Sequence, residues 1–285
     1  VAGELRPVLE LRRGAGLTMM TRVWRLLFGA LCTLVLLFLL LPILAIVPLS
    51  FSSGGMLVYP LPGLSLRWYH EVFTSPVWMR GVGNSLFIGV LATLLSVVLG
   101  TLAGLGLARQ RGAWAGALKM LMLSPMIVPV ILIAVSSYFF LAPLDLVNTY
   151  FGLVATHTVI AVPFVVIPVL TALEMMDANL LRAAAACGAN PVQAFFGVTL
   201  PAIRPAVASG ALFAFAASFD DVVIALLLAG AHQRTLPQEM FSGLRDTITP
   251  AMLAVATIMI VVSTLLFVGV QRVQRQARRV LVLPA

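Results

Sequence analysis

The chain has 285 residues, of which 61% are hydrophobic and 10% are charged, and its formal net charge at pH 7 is +8. Its mean hydropathy of +1.08 excludes a water-soluble globular protein, because no soluble domain has that much apolar surface to bury. The composition therefore predicts an all-α integral membrane protein. No basic segment alternates with aromatic residues, so the positive charge does not indicate a nucleic-acid partner.

The chain opens with a polar segment, residues 1–25, that is predicted to be a tail before the first membrane span. Residues 1–18 are interpreted as an extension or a disordered tail, because Met19 and Met20 stand just before the first apolar run. That run is longer and more evenly apolar than the hydrophobic region of a signal peptide. It is therefore predicted to be a retained membrane span.

Six segments are long and apolar enough to cross a bilayer, for which a helix needs about 20 residues. They are the ranges Leu26–Phe51, Val82–Leu107, Leu118–Leu141, Phe151–Leu173, Ala206–Gly230 and Ala251–Val270. The third span contains Pro125 and Pro129, and the fourth contains Pro163 and Pro168. Proline within a membrane helix indicates a kink, which either lines a transport pathway or serves packing alone.

The distribution of arginine and lysine predicts the orientation of the six spans. With the N-terminus in the cytoplasm, all but four of the 18 basic residues lie in cytoplasmic segments. This bias follows the positive-inside rule and predicts that both termini are cytoplasmic, including a tail of residues 271–285. Residues 52–81 then form a periplasmic loop, whose Trp68 and Tyr69 are interpreted as a lipid anchor at the membrane interface.

Residues 177–201, on the cytoplasmic side in this topology, carry helix-start and helix-stop signals. Asp177 or Asn179 can cap a helix start, because a short side-chain oxygen accepts hydrogen bonds from free backbone N–H groups. Gly188 is predicted to end that helix in the left-handed conformation. The Asn-Pro pair at 190–191 predicts the start of a second short helix, and the proline at 201 is predicted to end it. The segment is therefore either a fixed pair of short helices or an ordinary helical loop.

Two aspartates, Asp220 and Asp221, lie inside the predicted fifth span. An ionisable side chain within a span is costly and marks either a pathway or a buried hydrogen bond. Successive helix residues point about 100° apart, so the two carboxylates are not expected to face one lumen equally. One is expected to line a pathway while the other bonds a neighbouring helix. Phe219, Asp220 and Asp221 are the candidate residues of a substrate pathway or gate.

The chain carries no enzyme motif. It lacks a GxxxxGK[ST] phosphate loop, a GxSxG nucleophile elbow and an HExxH zinc motif. Adjacent aspartates on one helix do not form the shared-proton dyad of an aspartyl protease, whose carboxylates come from different helices. The histidines, His70, His157 and His232, share no metal-ligand spacing, and His157 is interpreted as an interfacial or packing residue. No catalysis, cofactor or metal site is therefore expected.

The spacing within residues 177–201 resembles the cytoplasmic signature of inner-membrane permeases in binding-protein-dependent ABC importers. That signature reads Glu-Ala-Ala, three residues, Gly, nine residues, Ile-x-Leu-Pro. The matching residues here are Arg182, Ala183, Ala184, Gly188, Val198, Leu200 and Pro201. Arg182 stands where the family has glutamate. In that family the segment forms the coupling helices that dock on the ATPase, and the resemblance implies this role for the matching residues.

Flanking motifs resemble the spermidine/putrescine-type permeases, and in particular the second permease subunit of the pair. They are Trp68-Tyr69, Asn84-Ser85 and the string SFDDVVIALLLAG followed by RTLP and ITP. The resemblance covers roughly residues 24–270 and implies a type I importer fold, with a transmembrane core of residues 82–270. It also implies a second permease subunit, two ATP-binding cassette subunits and a periplasmic solute-binding protein at the bacterial inner membrane.

The function implied by the resemblance is ATP-driven import of a polyamine or a similar small cation by alternating access. The same importer class also serves other solutes, such as an iron complex, thiamine or a phosphonate. A proton-coupled secondary transporter is a further alternative, which predicts transport without an ATPase and an internal repeat. No convincing repeat is visible, and the lack of a nucleotide-binding motif assigns ATP hydrolysis to a partner subunit.

Overall fold

A computed structural model describes the backbone of residues 5–110, 112–246 and 249–281. Within these residues the chain is helical and forms no β-strand, apart from one isolated bridge between Ser52 and Leu64. The predicted all-α class is thus confirmed. The helices are α1 Leu5–Ser50, α2 Arg67–Thr74, α3 Pro76–Arg109, α4 Ala113–Ile127, α5 Val130–Leu141, α6 Tyr150–Glu174, α7 Ala178–Ala186, α8 Pro191–Ala194, α9 Leu200–Phe219, α10 Val223–Leu228, α11 Leu236–Asp246 and α12 Pro250–Leu281.

Among the described residues, five helical segments are long and apolar enough to cross a membrane, and α4 with α5 is a sixth candidate if the pair makes one span. The predicted span Leu118–Leu141, whose prolines predict a kink, consists of two helices, because α4 and α5 meet at 103°. Pro129 causes the break, since it lacks an N–H group and forces Val128 into an extended conformation with φ −73° and ψ 130°. Pro125 lies inside α4 without ending it.

The predicted fifth span, Ala206–Gly230, also corresponds to two helices. α9 ends at Phe219 and α10 begins at Val223, so the chain is broken where the aspartates stand. The short helices that follow the two breaks, α5 and α10, pack against each other in one apolar cluster with α3 and α6.

The two terminal helices are longer than the predicted first and sixth spans. α1 begins at Leu5, so it includes most of the segment interpreted as a tail, and residues 1–4 lie outside the described ranges. α12 likewise continues to Leu281. The most apolar stretch of α1 has no residue buried within this chain, and its main helix contact is with α12. The surface of that stretch, which lies within Trp24–Ser50, is therefore available to lipid or to another subunit.

The centre of the molecule consists of α3, α6 and α9, which approach one another at glycines. A Cβ atom at Gly100 of α3 would lie 2.7 Å from the Cβ of Val165 on α6. A Cβ atom at Gly210 of α9 would lie 2.9 Å from the Cα of the same valine. Such close approach requires residues without a side chain. The surrounding core is built from Ala161, Val165, Val169, Ile203 and Ala214.

The segment between α1 and α3 is folded against the protein. The indole N–H of Trp68 donates a 2.8 Å hydrogen bond to the carbonyl oxygen of Ser52, and only 8% of Trp68 is exposed. Trp68 belongs to a buried cluster that includes Leu236 of α11 and residues of α12. The hydroxyl groups of Tyr69 and Ser50 lie 2.7 Å apart. The interpretation of Trp68 as a lipid anchor is therefore wrong, because its ring closes a core between three helices.

Asn84 and Ser85 of α3 hold the segment between α10 and α11. The side-chain amide of Asn84 donates to the carbonyl oxygens of His232 and Arg234 at 2.9 and 2.8 Å. The Ser85 Oγ accepts a 2.8 Å hydrogen bond from the backbone N–H of Leu236. These contacts fix where α10 and α11 lie relative to α3, and they also constrain the helix break that precedes α10.

Candidate functional site

Residues 177–201 contain two helical elements that are joined at a sharp corner. The Asp177 side chain accepts a 2.9 Å hydrogen bond from the Asn179 backbone N–H, so Asp177 is the residue that caps α7. Gly188 adopts φ +82°, a left-handed conformation that glycine takes without steric cost. The predicted helix start and the predicted corner are both confirmed.

The second element begins where the sequence predicts and does not end where it predicts. Asn190 and Gln193 form a capping box, in which each side chain accepts a hydrogen bond from the other residue's backbone N–H. α8 then passes through a π-helical turn at Phe195–Thr199 directly into α9. The prediction that Pro201 ends the helix is wrong. Pro201 lies in the first turn of α9, just after a wider π turn that accommodates a residue without an N–H donor.

The result is one continuous helix over Pro191–Phe219, which we call the long helix. At about 1.5 Å per residue it is roughly 43 Å long, and it joins the corner at Gly188 to the break at Asp220. The residues that match the importer signature are accessible near its start. Arg182, Ala183, Gly188 and Pro201 are exposed, and Ala184, Val198 and Leu200 are half-buried.

Arg182, which replaces the glutamate of the signature, points its guanidinium at its own helix. Its Nη1 lies 3.4 Å from the Asn179 Oδ1. Among the described side chains it makes no ion pair. The replacement therefore leaves the local helix intact and adds an exposed positive charge to the surface of the pair.

A cavity of about 1120 Å³ lies between the two places where the helices are broken, and we call it the break cavity. α4 ends beside it at Ile127, and α9 ends beside it at Phe219. Apolar side chains from four helices form most of its lining. They include Met126 of α4, Phe164 of α6, Phe213 and Phe215 of α9, and Met259 of α12.

Asp220 and Asp221 both line the break cavity, but they do not share a helix. The expectation of two carboxylates about 100° apart on one helix is wrong, because α9 ends at Phe219. Asp220 is exposed. The Asp221 side chain is only 6% exposed, and its Oδ2 accepts a 2.8 Å hydrogen bond from the Ile224 backbone N–H. The Asp220 carboxylate is thus accessible in the cavity. The Asp221 carboxylate instead accepts a hydrogen bond from an N–H group in the first turn of α10 that has no partner within the helix.

Phe219, the last residue of α9, forms an aromatic surface beside Asp220. It is 9% exposed and stacks on Phe215, with ring centroids 5.3 Å apart. Both rings line the break cavity. An aromatic surface next to a carboxylate can hold an organic cation through apolar contact, the ring quadrupole and the charge.

His157 of α6 is completely buried behind the second break. Its Nδ1 lies 2.9 Å from the Ser218 Oγ, and its Nε2 lies 4.0 Å from the Asp221 Oδ2. The interfacial interpretation of His157 is therefore wrong, since its ring is enclosed between helices. No pattern in the sequence pairs it with these distant residues, because the contact arises from the packing of α6 on α9. No group of three metal-ligating side chains is found in the part of the chain that the structure describes.

Comparison with known proteins identifies the family. A family model described as a binding-protein-dependent transport system inner membrane component matches residues 96–279. The chain belongs to this family. This permease is 31% identical, over 84% of its length, to the spermidine/putrescine transport system permease protein PotC of Haemophilus influenzae, of which 93% is covered. It is 33% identical, over 78% of its length, to the putrescine transport system permease protein PotI of Escherichia coli, of which 82% is covered.

The permease also shares its fold with a solved importer. A chain of a bacterial ABC transporter involved in the import of the acidic polysaccharide alginate matches it with a TM-score of 0.70, over 88% of the permease and 96% of that chain, at 19% identity. The resemblance to binding-protein-dependent importers, and to their spermidine/putrescine-type members, is thus confirmed. The protein is a multi-pass ABC importer permease, a transport subunit and not an enzyme.

Proposed function

We propose that this permease imports spermidine, putrescine or a similar small organic cation across the bacterial inner membrane by alternating access. The observation that carries the proposal is the exposed Asp220 carboxylate in the apolar break cavity. A linear polyamine presents ammonium groups separated by methylenes, so the carboxylate can pair with an ammonium group while the lining accepts the methylenes. The two relatives are permeases for spermidine and putrescine by name, which supports this class of solute.

The carboxyl end of α9 adds to the preference for a cation. The carboxyl end of a helix carries a partial negative charge from its unpaired carbonyl groups. α9 ends at Phe219, which lines the break cavity, and the Asp221 carboxylate accepts the Ile224 N–H at the start of α10 on the other side of the break. Discontinuous membrane helices build solute sites in other transporters in this way.

The proposed complex contains two ATP-binding cassette subunits, this permease, a second permease subunit and a periplasmic solute-binding protein. In it the permease crosses the membrane six times, with α4 and α5 together as one span, and residues 82–270 form the importer core. Residues 1–25 and 271–285 lie in the cytoplasm, and residues 52–81 lie in the periplasm. The excess of basic residues in the cytoplasmic segments supports this orientation.

The helix pair of residues 177–201 is the proposed docking point for the ATPase. Its signature residues are accessible, and the alanines of α7 allow a partner surface to approach closely. The long helix has no break between Pro191 and Phe219, so a displacement of the pair moves the end that carries Asp220. ATP-driven closure of the ATPase subunits would in this way bias the equilibrium between inward-facing and outward-facing states.

Reconstitution with the partner subunits in proteoliposomes tests the function as a whole. We expect uptake of labelled spermidine or putrescine that requires both ATP and the binding protein. Unlabelled polyamines should compete, whereas thiamine, a phosphonate and an iron complex should not. Uptake driven by a proton gradient without ATP would contradict the proposal and indicate a secondary transporter.

Asp220→Asn tests the observation on which the proposal rests. The substitution removes the charge and keeps the shape, so uptake at low solute concentration should fall about tenfold or more, as expected for the loss of one charge-assisted hydrogen bond. The amount of complex in the membrane should not change, because Asp220 is exposed. Asp145→Asn is the matched control, since it removes another exposed carboxylate that does not line the cavity. Normal uptake by the Asp220→Asn variant would contradict the proposed pathway.

A further inference from the structure

His157 contacts both sides of the helix break that carries the two aspartates. Ser218 belongs to the last turn of α9, and Asp221 stands just before α10. The His157 Nδ1 lies 2.9 Å from the Ser218 Oγ, and its Nε2 lies 4.0 Å from the Asp221 Oδ2. Asp220 lies between these two residues in the chain. One buried ring from α6 therefore lies beside both edges of the break, and unlike Asp220 it does not line the break cavity.

The polar atoms of the ring indicate that His157 does more than fill space. Nε2 is buried and has no hydrogen-bond partner among the described residues, which is costly for a ring that serves packing alone. If Ser218 donates its hydroxyl hydrogen to Nδ1, the neutral ring carries its own hydrogen on Nε2. That hydrogen then points toward the carboxylate of Asp221. The opposite tautomer would direct a lone pair at a carboxylate, which is electrostatically unfavourable.

The Asp221 carboxylate connects this ring to the start of α10. Its Oδ2 accepts the hydrogen bond from the Ile224 N–H and is also the oxygen nearest to the His157 Nε2. The 4.0 Å separation is about 1 Å longer than a hydrogen bond. A small movement of the break toward α6 would therefore form a charge-assisted bond.

We infer that His157 is a positioning residue of the transport pathway, which holds Ser218 and Asp221 on either side of the helix break and thereby directs the Asp220 carboxylate into the break cavity. The inference rests on the proposed function in that the break cavity is taken as the solute pathway. His157 does not itself meet the solute, because it is completely buried and does not line the cavity.

Two polar substitutions separate the two contacts of the ring. An asparagine amide lies as far along the side chain as Nδ1, so His157→Asn keeps a partner for Ser218 and loses the approach to Asp221. A glutamine amide reaches as far as Nε2, so His157→Gln keeps the approach to Asp221. Thr158→Val is the matched control, because Thr158 is also buried in α6 and its hydroxyl donates only to Val154 of the same helix.

The placement of residue 220 can be measured without transport. In a background with Cys32→Ser and Cys187→Ser and with cysteine-free partner subunits, Asp220→Cys provides one thiol, whose reaction rate with a cationic methanethiosulfonate reagent reports its access from the cavity. We expect His157→Asn to slow this reaction about tenfold, since a misplacement near 1 Å has effects of this size or larger. Thr158→Val should react at the parent rate, and His157→Gln should react nearly as fast, with a small remaining loss because the contact with Ser218 is absent. Only assembled complex with the partner subunits is measured, so variants that assemble poorly do not distort the rates.

Transport supplies the second readout, in the protein that keeps Asp220. His157→Asn should raise the solute concentration for half-maximal uptake about tenfold, and His157→Gln should restore most of the affinity. A thiol reaction rate that is the same with His157→Asn as with the parent overturns the inference. Thr158→Val losses equal to those of His157→Asn also overturn it, because they would show a general packing role.

If the proposed function fails, the transport and thiol measurements give a different combination of results from the one expected if the inference about His157 fails. If the Asp220→Asn variant transports polyamines normally, the solute does not use this carboxylate and the proposed pathway is wrong. The thiol series still decides whether His157 sets the position of residue 220, because that measurement involves no solute.

Discussion

At the residue scale, Asp220 and Asp221 differ in what their carboxylates can do although they are neighbours in the chain. The Asp220 side chain is exposed at the break cavity, where a charge can attract a solute. The Asp221 oxygen accepts the Ile224 N–H and stabilises the start of α10. The difference follows from the end of α9 at Phe219, since a continuous helix would offer no free N–H group for Asp221 to bind.

Substitutions of Asp221 should therefore affect stability through the hydrogen bond and not through the charge. Asp221→Ala should lower the stability of the complex by about 1 kcal/mol, the usual cost of removing a capping side chain. Asp221→Asn keeps an oxygen that accepts the same N–H and should melt close to the parent. Thermal unfolding of the purified complex measures both. An asparagine variant that is as unstable as the alanine variant would show that the charge matters instead.

At the element scale, helix caps and corners could be predicted from the sequence, whereas the second helix break could not. Asp177, Gly188 and Asn190 act on backbone groups within a few residues, so the local pattern contains the information. The sequence around the break after Phe219 contains no proline or glycine from which the break could be predicted. At this break the Asp221 carboxylate binds the Ile224 N–H and a histidine from α6 lies 4.0 Å away, and contacts between distant residues leave no local signal.

The effect of a proline on these helices depends on the neighbouring backbone. Pro129 breaks a predicted span at Val128. Pro201 does not end the helix that it was expected to end, because the π turn at Phe195–Thr199 precedes it. The helix pair of residues 177–201 is therefore continuous with α9 and does not end before it.

Gly188→Val tests whether the corner transmits the action of the ATPase. Valine at φ +82° is strained by about 1–2 kcal/mol or more, whereas a Cβ at this position would meet no atom within 4 Å. We expect normal insertion and loss of the coupling between ATP hydrolysis and uptake. Gly188→Asn is the matched control, because asparagine tolerates the left-handed conformation, and it should remain coupled. Normal uptake by the valine variant would rule out a role for the corner.

At the scale of the whole molecule, the three-helix core of α3, α6 and α9 supports the end of α9 that carries the candidate pathway residues. Gly100→Leu should reduce the amount of folded permease severely, because a Cβ there would lie 2.7 Å from the Cβ of Val165 and overpacking is costly. Gly106→Leu on the same helix should be tolerated, since a Cβ there meets no atom within 4 Å. Quantitative blotting of membranes compares the two variants. Equal abundance would show that helix approach at Gly100 is not required.

Much of the overall architecture could be predicted from the sequence, because membrane helices require long apolar segments. What composition could not supply is the set of contacts between segments distant in the chain. Trp68 has the amphipathic character of an interfacial residue, yet it packs with Leu236. From the sequence His157 is an ordinary packing residue, and its contact with Ser218 exists only because α6 packs against α9.

Because the long helix is uninterrupted, the number of residues in it matters as well as their identity. Each helical residue adds about 1.5 Å and a turn of about 100°. Inserting or deleting one residue between Pro191 and Phe219 would rotate Asp220 out of phase with the cavity, even if both helix ends folded normally. The number of residues from Gly188 to Asp220 therefore sets the rotational register between the corner and the carboxylate. Along this helix, replacements should be far better tolerated than any change in residue number.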